Sequence, residues 1–176
     1  MVFTIASCTN QDGNSREKIP TVEQLDPFSA PLYPANKIAQ AKDFTVSLTD
    51  ESSFTLSKQL GNVILINIWA TWCLPCLDET PDLVSLYETY RDDGFLILGV
   101  SIDEQEESVV QPFIERFDIS YPVYIDKEEI ILSKYGPTMG IPTTYLIDRS
   151  GNLRYFAVGA LTKKELEPRI KALLHE

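Results

Sequence analysis

A nearly continuous apolar run, Val63 to Trp69, leads without a break into Trp69-Ala70-Thr71-Trp72-Cys73-Leu74-Pro75-Cys76. The run is rich in β-branched residues, so it reads as a central strand buried on both faces. Leu77, Leu83, Val84, Leu86, Tyr87 and Tyr90 then supply one face of a helix from about Cys73 to Arg91, with Pro81 inside it as an expected kink. Two cysteines thus sit where a buried strand gives way to a helix. The free N–H groups and dipole of a helix N-terminus favour an anion, and the thiolate is the reactive form of cysteine. Cys73 is expected to be the more exposed thiol, with its pKa lowered. Cys76, one turn further in, can attack a mixed disulfide formed at Cys73 and release the partner as a dithiol. Pro75 falls early in the helix, where a missing N–H costs little, and stiffens the short loop. Leu74 places no positive charge beside Cys73, which argues against a strongly oxidising centre.

The plainer readings of this pair are a structural bridge, half of a zinc site, or two buried thiols. A bridge over two residues closes almost no loop and contributes little entropy. Zinc needs more ligands than three cysteines and a lone His175 convincingly supply. That histidine lies beside the C-terminus, which also weakens a Cys–His nucleophile pair. The sequence calls for no metal and no cofactor. Its 176 residues suffice for one domain and a tail. A formal charge of −11 repels phosphate backbones, so nucleic acid is not an expected partner.

No run of about eighteen apolar residues suggests a membrane-spanning helix. Residues 1–8 end in Ile5-Ala6-Ser7-Cys8, which resembles the lipobox of bacterial lipoproteins. Only Met1-Val2-Phe3-Thr4 stand upstream, short of the roughly 7–15 apolar residues of a secretory signal. Two readings stay open: a truncated signal with Cys8 as the lipidation site, or an incidental free cysteine. Residues 9–42 are polar and carry Pro20, Pro27, Pro31 and Pro34, the composition of a tether reaching on the order of 30 Å. Leu25, Phe28, Leu32 and Tyr33 leave room for part of it to pack on the domain.

The folded domain is expected over 43–176. Phe44–Leu48 and Phe54–Leu56 read as a hairpin. Phe95–Ser101 is a second apolar strand, and strand–helix–strand order implies a right-handed crossover and a parallel pair. A helix from near Ser108, a strand within Tyr121–Asp126 and a short helix over Ile130–Tyr135 follow. Thr143–Ile147 and Leu153–Val158 form an antiparallel hairpin. Thr162 and Glu165 have capping-box spacing at the start of the last helix. Pro168 fits that helix only if it begins later or bends.

These residues resemble the thioredoxin superfamily, and more narrowly its membrane-tethered TlpA/ResA-like branch, over roughly 43–176. The resemblance rests on the hairpin, the WCxPC motif, Pro81 eight residues past Cys73, the extra helix and strand after Ser101, and Gly140-Ile141-Pro142-Thr143-Thr144. It implies an α/β thioredoxin fold: a central mixed β-sheet flanked by helices, with an N-terminal β-hairpin and a TlpA-like α/β insertion. It implies a cis Ile141–Pro142 bond facing the disulfide, where Ile141 pairs with a substrate strand and Pro142 keeps metals off the thiols. Trp72, Leu74 and Pro75 complete the substrate-binding surface. Glu79, six residues past Cys73, matches an acid that sits near the thiols in this branch and could shuttle protons. Its plain alternative is a surface helix acid. Thioredoxin itself has a buried aspartate in the strand before the motif. Here that place is Asn67, which cannot titrate, and Glu79 becomes the more interesting acid.

The expected activity is thiol–disulfide exchange with protein substrates in the cell envelope. The expected direction is reduction, for example of apocytochrome c before haem attachment. A membrane thiol donor of DsbD/CcdA type would recharge the protein, and a lipid anchor at Cys8 would hold it at the membrane. The chemistry runs either way, so an oxidase or isomerase is the alternative. A non-enzymatic module on the same scaffold is a third reading, but both thiols and the proline loop are present. A peroxidase of the peroxiredoxin kind would place a proline and a threonine upstream of its cysteine at spacings absent here.

Overall fold

The computed structural model describes residues 33–104, 107–135 and 140–176. Their frame is a six-stranded mixed sheet built around β4 (Val63–Trp69), whose seven residues are all buried. On one side β4 pairs in parallel with β5 (Phe95–Ser101), and β5 in turn with β6 (Val123–Ile125). On the other side β4 pairs antiparallel with β7 (Thr143–Ile147), followed by β8 (Asn152–Val158) and β1 (Tyr33–Gln40). The order is β1-β8-β7-β4-β5-β6. The hairpin β2 (Thr45–Ser47) and β3 (Ser53–Thr55) is a separate two-stranded sheet. It docks where the Thr49 N–H donates to the Val123 carbonyl.

The sheet's pleat divides the core in two. Val63, Leu65 and Trp69 point to a face packed with Leu83 and Leu86 of α1 (Leu74–Tyr90), Phe113 of α2 (Glu107–Arg116) and Leu166, Ile170 and Leu173 of α4 (Lys163–Leu174). Ile64, Ile66 and Ile68 point the other way, to the hairpin and Ile131 of α3 (Ile130–Tyr135). This α/β architecture with a mixed sheet, an N-terminal hairpin and the added α2–β6 unit is the thioredoxin fold expected from the sequence. Among the described residues no helix is long and apolar enough to cross a membrane.

Two expectations need correction. Tyr33–Gln40, the end of the expected 9–42 tether, forms β1 and pairs with β8 from Tyr33↔Phe156 to Gln40↔Asn152. The backbone groups of β8 need partners on that side, and an edge strand is where a proline such as Pro34 is tolerated. The sheet therefore begins ten residues before the expected boundary at Asp43. The rest of the tether and Cys8 lie outside the described residues. Secondly, α4 does not begin later to accommodate Pro168: it starts at Lys163, behind the expected Thr162–Glu165 capping box, and runs through Pro168. Its first turn is held by Glu165, whose carboxylate accepts from the Thr162 N–H at 2.8 Å and the Thr162 hydroxyl at 2.6 Å. Burial of Leu166, Ile170 and Leu173 then outweighs one lost helical hydrogen bond. Similarly, α1 continues through Pro81 to Tyr90.

Candidate active site

Cys73 is the N-cap residue of α1, with extended backbone, and its Sγ accepts from the Cys76 N–H at 3.3 Å. The two cysteines are joined by a disulfide, with Cα atoms 5.2 Å apart. Cys73 is 5% exposed and Cys76 1%, so the outer thiol is the one expected, though both are largely covered. Their neighbours are the opposite: Trp72 is 67% and Leu74 74% exposed, and Pro75 is exposed as well. Two large apolar side chains thus stand in water beside a covered disulfide. The Ile141–Pro142 peptide is cis. Ile141, half-buried, packs on the same core cluster as both cysteines. The Pro142 carbonyl is already taken by the Gly159 N–H at 2.7 Å.

Two carboxylates serve this site from inside. Asp103, two residues past the end of β5, accepts from the Thr71 N–H at 3.0 Å, the Thr71 hydroxyl at 2.7 Å and the Ser101 hydroxyl at 2.8 Å. It clamps the loop two residues before Cys73. The sequence shows this only as the start of an acidic stretch. Its one legible signal is position, since Ser101 ends the strand paired in parallel with the motif's own and Asp103 follows two residues later.

The second carboxylate is Glu79, three residues beyond Cys76 and thus on the same face of α1. It is buried, which rules out the surface-acid alternative. Oε1 accepts from Asn67 Nδ2 at 2.7 Å and Oε2 from the Leu161 N–H at 3.0 Å. Burial pushes this carboxyl from its ordinary 4.5 up to about 7, against the downward pull of the Leu161 and Asn67 hydrogen bonds. Tyr121 is pushed up as well, chiefly by burial and then by the Glu79 charge. A group that titrates near neutrality is suited to giving and taking protons at working pH. Asn67, noted in the sequence only as a group that cannot titrate, is thus the direct partner of the acid. Among the described residues no cluster of three His, Cys, Asp or Glu is placed to hold a metal ion.

Residues 38–156 match the model of the AhpC/TSA family. The thiol-disulfide oxidoreductase ResA of Geobacillus kaustophilus is 35% identical over 135 residues, which are 76% of this chain and 75% of that protein. The thioredoxin-like protein YneN of Bacillus subtilis is 34% identical over 132 residues, 74% and 76% of the two chains. Among solved structures, a thiol:disulfide interchange protein of the thioredoxin family from Chlorobium tepidum superposes with a TM-score of 0.71 at 30% identity. That match covers 80% of this chain and 99% of the other. Fold, disulfide and relatives agree: the chain belongs to the AhpC/TSA family of the thioredoxin superfamily and is a thiol–disulfide oxidoreductase of ResA type.

Proposed function

We propose that this oxidoreductase works on the extracytoplasmic face of the membrane as a reductant of protein disulfides. The Cys73 thiolate attacks a substrate disulfide, forming a mixed disulfide and expelling one substrate thiolate. Cys76 then attacks Cys73 Sγ, releasing the second substrate sulfur and leaving the Cys73–Cys76 bridge. The substrate gains two electrons and two protons. A membrane dithiol donor restores the reduced pair. Glu79 takes the Cys76 proton as that thiol becomes the attacking thiolate. Trp72, Leu74 and Pro75 receive the substrate, and Ile141 offers it backbone pairing, since the Pro142 carbonyl is occupied.

The observation that carries the direction is the buried Glu79 carboxyl on the Cys76 face of α1. An acid in this position, with Leu74 rather than a cation between the cysteines, does not stabilise a thiolate. Strong oxidants of this fold owe their potential to a stabilised reduced form. An apocytochrome awaiting haem is a fitting substrate class, and lipidation at Cys8 would place the protein at the membrane.

Equilibration against defined thiol–disulfide buffers tests the direction. A potential near that of thioredoxin, about −270 mV, supports the reductant; one near that of DsbA, about −120 mV, makes the protein an oxidant.

A further inference from the structure

One row of side chains on the helix-packed face of the sheet runs Ala157, Thr144, Asn67, Gly99 and Val123 across β8, β7, β4, β5 and β6. Two of the five are polar, and these two are direct cross-strand partners, each no more than 2% exposed. A polar pair in an apolar row costs stability unless its hydrogen bonds are complete. The Asn67 amide uses both hydrogens of Nδ2, donating to Glu79 Oε1 at 2.7 Å and to Thr144 Oγ1 at 3.1 Å. Glu79's other oxygen faces the Leu161 N–H, a donor that cannot turn into an acceptor.

The Asn67 amide is the one partner of Glu79 that can reverse. With N–H toward the carboxyl it stabilises the ionised acid. Rotated to present Oδ1, it can pair only with the protonated acid. We propose that Thr144 is a positioning residue for this centre: its hydroxyl takes the second amide hydrogen of Asn67, holds the amide with its donors toward Glu79, and so keeps the buried acid able to ionise. Without that acceptor, an Asn67 N–H is left buried and unpaired, the amide's hold on the ionised carboxylate weakens, and the balance shifts toward retention of the Glu79 proton.

The other groups around Glu79 do not substitute for this contact. β4 presents the neutral Asn67, the loop before α4 the Leu161 N–H, and the segment entering β6 the neutral Tyr121 phenol. On α1, Cys76 holds no proton while the disulfide is formed. The catalytic consequence rests on the proton-transfer role proposed for Glu79; the orientation of the amide does not.

The test is infrared titration of the oxidised protein, following the protonated-carboxyl band that Glu79→Gln removes. Thr144→Val is expected to raise its midpoint by about one pH unit, a tenfold change in proton affinity, with Thr144→Ser restoring the parental value. Thr144→Ala serves in place of Val if the bulkier variant does not fold. A parental midpoint in both the Val and Ala variants overturns the proposal and leaves the role of Glu79 standing. The pH profile of thiol–disulfide exchange separates the two ideas. A profile that moves with the band supports both. A shifted band with an unmoved profile supports the positioning by Thr144 and overturns proton transfer by Glu79.

Discussion

The backbone N–H of Leu161 donates to Glu79 Oε2 at 3.0 Å, joining the residue before the N-cap of α4 to the middle of α1 across 82 positions of sequence. The bond seals a carboxyl into the core next to the redox pair, with donors on both oxygens. Burial and these donors pull its proton affinity in opposite directions, and the balance lies near pH 7 rather than at either extreme.

Stability should follow that balance. Because the folded pKa of about 7 exceeds the ordinary 4.5, the native state binds the proton more tightly than the unfolded chain. The associated stability is present below pH 4.5 and is lost as pH rises through about 7. By linkage the loss is about 3 kcal/mol. Glu79→Gln removes this dependence, so oxidised Glu79→Gln protein should gain on the parent from pH 4.5 to about pH 7 and level off above that. Urea unfolding at a series of pH values measures this. A constant difference would mean that Glu79 binds its proton no more tightly in the folded protein than in the unfolded chain.

Cys76→Ser should accumulate a mixed disulfide between Cys73 and a substrate, visible as a mass increase that reductant reverses. Cys73→Ser should trap none, because Cys76 is only 1% exposed. Adduct formation at Cys76 as readily as at Cys73 would reverse their assigned order.

Asp103→Ala leaves the Thr71 N–H and hydroxyl and the Ser101 hydroxyl without their acceptor. A loss of about 2–4 kcal/mol is expected for unsatisfied buried donors, together with slower reaction of Cys73 with a model disulfide. Asp103→Asn keeps one acceptor oxygen and should fall between alanine and the parent. Chemical denaturation and stopped-flow exchange report the two effects separately.

Trp72→Ala should change stability by no more than about 0.5 kcal/mol, as expected of an exposed side chain. Its effect should appear as a raised KM for protein disulfides with little change toward a small disulfide reagent. An equal effect on both would place Trp72 in the chemistry rather than in docking.

The features legible in the sequence are local: the buried strand, the helix that opens at Cys73, the hairpins, the proline loop and the cap on α4. Each depends on residues within a few positions, where periodicity and backbone preference act directly. The strand–cysteine–helix junction and the proline loop also made the family legible. The long-range contacts were not legible in the sequence. Glu79 looks like any helix acid until Asn67, Leu161 and the core close over it, because desolvation depends on remote elements rather than neighbours in the chain. Asp103 lies 32 positions from Thr71 and Thr144 lies 77 from Asn67, and each pair meets only through strand register. β1 has the same origin: a proline-bearing segment that reads as tether becomes a strand because the fold leaves β8 an open edge, and unpaired backbone at that edge favours whatever segment can reach it.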